Sequence, residues 1–125
     1  FLKKIEHPQI LKIIHNSICA NIMICMGDAF LISKKNKIAD VKLIEMLLNS
    51  GFVSNLIKNK INKVKKGYSV SFSYNNMLKD LKIFSDSKLN YTKMLSHVYP
   101  IYKKYKKKTE DKDSSYIIKK IQLEC

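Results

Sequence analysis

Asn21-Ile-Met-Ile-Cys-Met-Gly-Asp-Ala-Phe-Leu-Ile-Ser33 is the stretch on which the fold turns. Two short apolar runs flank a Gly27-Asp28 pair. A two-residue Gly-containing break between apolar runs predicts a β-hairpin, with a single bent strand as the alternative. On either side the periodicity is helical. Pro8 stands where a first helical turn tolerates proline. Ile10, Ile14 and Ile18 follow at four-residue spacing, which predicts an amphipathic helix from about His7 to Ala20. Ile38, Val41, Ile44, Leu47 and Leu48 predict a second amphipathic helix, with Gly51 as its terminator. Between them Ser33-Lys-Lys-Asn-Lys37 is a basic turn in which Ser33 or Asn36 can cap a helix.

Further on, Phe52 to Lys58 is expected as a strand and Asn59 to Gly67 as a lysine-rich loop. Tyr68-Ser-Val-Ser-Phe-Ser-Tyr74 alternates without a break and is the strongest strand signal in the chain. Its aromatic face is expected to pack on Ile10, Ile14, Val41, Ile44 and Leu48. Tyr116 to Leu123 is expected as a last strand. The expected fold class is therefore α+β in two small modules. Residues 1–75 form a helix–strand–helix–strand–strand layer, and residues 76–125 form a basic, partly β module.

All 24 basic residues are lysine, and the net charge is +14 on 125 residues. Charge of this size calls for a polyanionic partner. Lysine offers a hydrated point charge suited to phosphate, whereas arginine's planar fork is the group that reads base edges. Most of the excess lies after residue 50. Lys103, Lys104, Lys106 and neighbours surround Tyr105, a composition suited to phosphate neutralisation with ring stacking. Lys34, Lys35 and Lys37 lie at the mouth of the second expected helix, where a helix N-terminus adds to an anion site. The plain alternative for each cluster is a solvated charge run.

Three widely spaced cysteines form neither a disulfide framework nor a Cys-x-x-Cys motif and fit a reducing compartment. His15 and Cys19 share a helix face, but a zinc site needs four converging ligands, so no metal is expected. The three glycines are isolated, which leaves no Gly-rich phosphate loop and no expected cofactor. No catalytic set is expected, and His15 with Cys19 is the one candidate base–nucleophile pair. No stretch is expected to span a membrane, because Asn21, Gly27 and Asp28 interrupt the most apolar run.

Several segments together resemble a known family. Ile14-His-Asn-Ser-Ile-Cys-Ala-Asn21 resembles the Ile-Arg-Asn-Gly-x-x-Ala segment of small-subunit ribosomal protein eight. Leu47-Leu-Asn-Ser-Gly-Phe-Val53 is similar to that family's exit from its second helix, and Ser33–Lys37 falls at its RNA-facing turn. Pro100-Ile-Tyr-Lys-Lys-Tyr-Lys106 keeps the spacing of its basic C-terminal segment. The resemblance implies a structural constituent of an organellar, mitochondrial small ribosomal subunit that organises the central domain of small-subunit rRNA. The implied RNA-binding residues are Asn16, Lys34, Lys35, Lys37, Lys103, Lys104, Tyr105 and Lys106. Implied partners are that rRNA and neighbouring ribosomal proteins, with neither a membrane nor a second copy of the chain. The family's C-terminal Ser-Thr-Ser loop is not recognisable after Asp113, so a neighbouring polypeptide or rRNA is expected to cover residues 113–125. A nucleic-acid-binding module outside the ribosome is the alternative.

Overall fold

A computed structural model describes residues 6–51, 54–87, 92–106 and 111–124. The segment 21–33 lies in the middle of one continuous helix, α1, His7–Lys35. Pro8 occupies its first turn as the sequence predicts. Lys34 and Lys35 complement the helix dipole in the last turn. Asn36 closes the helix, donating its backbone N–H and its side-chain amide to the Ile32 carbonyl at 3.1 and 2.9 Å. Neither Ser33 nor Asn36 caps the next helix. Ser33 is buried inside α1, and the N-cap of α2 is Ala39.

Gly27 does not turn the chain. It lets a second helix approach: a Cβ at this position would stand 2.8 Å from the Cβ of Ile121. Glycine inside a helix costs about 1 kcal/mol relative to alanine, and the close packing that its missing side chain permits offsets this. α1 meets the length and apolarity of a membrane-crossing helix, contrary to the sequence expectation, but 44% of its most apolar window is buried by the rest of the chain. It serves as the core helix around which the others pack.

Those others are α2 (Asp40–Asn49), α3 (Asn55–Lys66), α4 (Tyr74–Asp86), α5 (Val98–Lys104) and α6 (Ile117–Gln122), with 3₁₀ turns at Leu95–His97 and Ser114–Tyr116. Among the described residues there is no strand, only an isolated antiparallel bridge between Ser73 and Asp113. The α+β expectation is overturned. The second expected helix is present as α2, but it ends at Asn49, with Ser50 extended at its C-cap. The left-handed terminator is Gly67 (φ 89°), which closes α3. Residues 59–66, expected as loop, belong to α3. Within the expected strand 52–58, Phe52 and Val53 lie outside the described residues, and Ser54 caps α3 by accepting from the Ile57 N–H at 3.4 Å.

The perfectly alternating segment is a pinned loop. Tyr68 takes a positive φ of 63° directly after Gly67. Val70 is 59% exposed, while Tyr68 and Tyr74 are buried and Phe72 packs on the core, so the aromatic side chains meet helices and no sheet is present among the described residues. Tyr74 opens α4, whose N-cap Ser73 accepts from the Asn76 N–H at 3.1 Å. Alternation marks a surface that suits a pleat, and without a neighbouring strand it stabilises nothing. Here Asp113 takes the neighbour's place. Its fully buried carboxylate accepts from the Ser71, Phe72 and Ser115 N–H groups at 2.8, 3.0 and 3.0 Å, and from the Ser115 hydroxyl. Lys63 Nζ lies 3.9 Å from the same group.

The core runs along α1. Ala20, Met23 and Phe30 meet Tyr74 and Leu81 of α4, Val98 and Tyr102 of α5, and Ile117 and Ile118 of α6. Inside it the Tyr74 hydroxyl donates to the Tyr102 carbonyl at 2.7 Å, and the Tyr102 hydroxyl donates to the Ser114 carbonyl at 3.1 Å. Tyr116–Leu123, expected as an edge strand awaiting a covering partner, is a 3₁₀ turn and α6. Ile117, Ile118 and Ile121 are buried against the chain's own helices, so this segment offers no sheet edge to cover. Of the set expected to face the sheet, Val41 is 67% exposed while Ile44 packs on the core.

Candidate functional site

Helical spacing places Lys12, His15, Asn16 and Cys19 along one side of α1. α4 brings Asp80 against them. Asn16 Nδ2 donates to Asp80 Oδ2 at 2.6 Å, and Lys12 Nζ stands 3.7 Å from the same oxygen. The Asp80 side chain is 14% exposed and that of Lys12 62%, so a sheltered carboxylate stands beside a solvent-facing amine. His15 Nδ1 lies 3.2 Å from Asn16 Oδ1. Because the carboxylate can only accept, Asn16 must turn its NH₂ towards Asp80 and its oxygen towards His15.

Cys19 Sγ is 3.9 Å from both nitrogens of the His15 ring. A sulfur equidistant from both is not aligned on either lone pair, and burial pushes its thiol pKa up against the lowering effect of nearby Lys60. This is a poor geometry for nucleophile activation. Among the described residues no group of three or more His, Cys, Asp or Glu is placed to hold a metal. A shallow recess of roughly 240 Å3 opens beside His7, Ile10 and Leu11 at the start of the same helix.

The residues singled out in the sequence fall in three places. Asn16 is in the α1–α4 cluster. Lys34, Lys35 and Lys37 lie exposed at the far end of α1, and Lys103, Lys104 and Lys106 lie exposed on and just after α5. The last turn of the chain brings these two groups near one another. Lys34 Nζ donates to the Gln122 carbonyl at 3.5 Å, and Lys104 Nζ pairs with Glu124 at 2.9 Å. The Tyr105 hydroxyl donates to the same Glu124 carboxylate. Lys12 and Asp80 went unnoticed in the sequence. Lys12 and Asn16 carried a signal, four apart on one helix face, but Asp80 is 64 residues away from Asn16 and carried none.

Fold and site together define a helical domain that presents a lysine beside a sheltered carboxylate. A family model described as NAD-binding of NADP-dependent 3-hydroxyisobutyrate dehydrogenase matches residues 7–121, and the chain belongs to that family. The fold is shared with two solved structures. A 3-hydroxyisobutyrate dehydrogenase from Salmonella typhimurium superposes with a TM-score of 0.75 at 18% identity, over 88% of this chain and 40% of that one. The 3-hydroxyisobutyrate dehydrogenase of Mycobacterium tuberculosis, solved with L-serine, gives 0.77 at 21%, over 91% and 43%. The chain thus spans about two-fifths of the length of these proteins. No curated protein sequence matches it.

These findings overturn the ribosomal resemblance, and with it the expected rRNA and ribosomal partners, the role in translation and the expectation of a non-enzymatic protein. The expectation that the chain does not pair with itself came from the same source and falls with it. The quoted segments are short stretches of helix in which Ile, Asn, Leu and Lys recur. The order of elements that supported the resemblance included strands that are absent among the described residues.

Proposed function

We propose that the chain is the helical domain of a nicotinamide-dependent dehydrogenase of 3-hydroxy acids, and that Lys12 moves the proton at the substrate oxygen. The observation that carries this is the Asn16–Asp80–Lys12 arrangement, with 2.6 Å and 3.7 Å contacts to one carboxylate oxygen. Oxidation of an alcohol removes a proton from oxygen and a hydride from carbon. An amine set beside a sheltered carboxylate yet open to solvent is suited to the proton. Asp80 orients it, and Asn16 keeps Asp80 in place.

The residues present do not fit a whole dinucleotide. A pyrophosphate cradle is built from a Gly-rich turn between a strand and a helix N-terminus. The described residues hold no strand, and Gly27, Gly51 and Gly67 stand alone in the sequence. In this reading the cofactor's phosphates are held by residues other than these, and the helical domain contributes proton handling and one wall of the site.

The test is turnover of 3-hydroxyisobutyrate with NAD⁺ or NADP⁺ by the protein that carries this chain. Lys12→Ala is expected to lower kcat by about 10²–10⁴-fold with unchanged helicity, and Lys12→Arg to restore little. Full turnover by Lys12→Ala would refute the assignment of Lys12. Absence of 3-hydroxy-acid turnover with either cofactor would refute the functional reading as a whole.

A further inference from the structure

Four helix ends meet at one pole of the bundle, and Gln122 ties three of them together. Its side-chain amide donates to the Asp40 carboxylate oxygens at 3.0 and 2.9 Å, which joins the end of α6 to the start of α2. Its carbonyl accepts from Lys34 Nζ at 3.5 Å, which joins the same turn to the end of α1. Lys104 Nζ, 2.9 Å from Glu124, brings in the end of α5. Lys34, Lys35, Lys37, Lys42, Lys104 and Lys106 are exposed around this pole. Among them Ile38, Val41 and Leu123 are 47%, 67% and 52% exposed.

We propose that this pole is a peripheral docking surface for a bilayer leaflet rich in anionic phospholipid. The lysine amines meet the charged headgroups, and Ile38, Val41 and Leu123 seat among the acyl chains just beneath them. Lysines in the last turn of a helix complement its dipole. That accounts for Lys34, Lys35 and Lys104, but not for Lys37 and Lys42 or for the apolar side chains between them. Bulky apolar tips set among lysines are the composition that holds a protein on a charged interface without spanning it.

The charges choose the occupant. The two carboxylates nearest these lysines are engaged within the fold, Glu124 by Lys104 and Tyr105 and Asp40 by the Gln122 amide. The amines around them therefore favour an anionic surface. An acidic protein is the other polyanion that would fit. Protein–protein interfaces, however, are enriched in arginine and depleted in lysine, and this chain has no arginine. A leaflet of mobile headgroups needs no fixed fork, only point charges close to its plane, which lysine supplies. The pole also leaves the rest of the molecule in water. About 35 Å of helix separates Lys35 from Lys12 at 1.5 Å per residue, so the Lys12–Asp80 cluster stays open to solvent on the bound protein.

The experiment is co-sedimentation of the protein that carries this chain with phosphatidylserine–phosphatidylcholine vesicles and with phosphatidylcholine vesicles. Binding is expected to the first and not to the second, and it should weaken as salt rises. Lys35→Gln with Lys42→Gln should lower it at least about tenfold, at roughly fivefold per lysine. Ile38→Ser with Val41→Ser should lower it about tenfold, with unchanged far-UV circular dichroism and unchanged binding to heparin. The chain has no tryptophan, so Ile38→Trp, read against the unsubstituted protein, reports depth. Its emission should shift to the blue on the anionic vesicles and be quenched by brominated lipid, whereas that of Leu11→Trp, at the other end of α1, should not. Failure to bind the anionic vesicles would overturn the proposal, as would equal binding to phosphatidylcholine alone. Vesicle binding indifferent to Ile38→Ser with Val41→Ser would show charge adsorption without an apolar seat and overturn it. Quenching at Leu11→Trp and not at Ile38→Trp would place the bilayer elsewhere on the molecule. Capture by polyglutamate as tight as by the vesicles, and lost with the same Ile38 and Val41 substitutions, would make an acidic protein the occupant and overturn it too.

Discussion

Gly27 on α1 lies so close to Ile121 on α6 that a Cβ at position 27 would stand 2.8 Å from the Ile121 Cβ and 2.9 Å from its Cδ1. Real Cβ atoms do not approach a neighbour this closely. Because no rotamer change moves the Ile121 Cβ, Gly27→Ala has to push the two helices apart. That strain is of order 1–3 kcal/mol, against about 1 kcal/mol gained in helix propensity. A net loss of about 1 kcal/mol is expected in urea unfolding. Combining it with Ile121→Val should recover part of the loss, as coupled neighbours do. Additive losses would show that the crossing is not tight.

The Asp113 carboxylate is the acceptor that holds the 68–73 loop, so Asp113→Ala strands the Ser71, Phe72 and Ser115 N–H groups. A cost of about 3 kcal/mol is expected. Burial raises the carboxyl's pKa, but hydrogen bonds from Phe72, Ser115 and Ser71 together outweigh this and hold it below the ordinary value. A depressed folded pKa contributes stability that is present above the unfolded value near 3.8 and lost as pH falls through the folded value. Melting curves from pH 2 to 7 should show this acid loss in the wild type and less of it in Asp113→Asn. An unchanged melting temperature for Asp113→Ala would contradict the pinning role.

At the other end of the pH scale, Tyr102 is fully buried with its hydroxyl on the Ser114 carbonyl. Burial first, then the nearby Tyr74, Asp113 and Cys19, push its pKa well above the usual tyrosine range. The folded state thus keeps a proton that the unfolded chain releases near pH 10. Stability from this group is complete below pH 10 and declines as pH rises beyond it. Tyr102→Phe should lose about 1 kcal/mol at neutral pH and show a shallower alkaline decline. Tyrosinate absorbance at 295 nm should report Tyr102 titrating only with unfolding, and early reversible titration of every tyrosine would count against its burial.

In the α1–α4 cluster, Asn16→Leu removes the donor that anchors Asp80 and leaves a sheltered carboxylate short of a partner. About 1–2 kcal/mol of stability is expected to go. Asp80→Asn should free Lys12 and lower turnover by about tenfold, less than loss of the amine itself. Equal turnover in Asp80→Asn and wild type would mean that the carboxylate does not orient Lys12.

What the sequence determined was local. Pro8 marked the start of α1, and the spacing of Ile38 to Leu48 marked α2, because capping chemistry and 3.6-residue periodicity act between residues a few positions apart. The lysine excess was plain, and so were the absence of a Gly-rich turn and the lack of metal-ligand spacing. Asn16 was singled out, but for a different partner.

Tertiary structure decided the rest. Whether 21–33 turns at Gly27 or continues as helix depends on Ile121, ninety-odd residues on, since a glycine inside a helix is favoured only where another backbone must come close. Whether 68–74 pairs as a strand depends on a neighbouring strand, and the chain supplies Asp113 instead. Tyr116–Leu123 suits a strand by composition, yet α1 offers it a groove as helix. The site followed the same rule, for Lys12 acquires a role only when α4 sets Asp80 beside it. Local preference is worth tenths of a kcal/mol per residue. A close-packed crossing or a buried carboxylate with its donors is worth several, so contacts between distant residues overrule the pattern wherever the two compete.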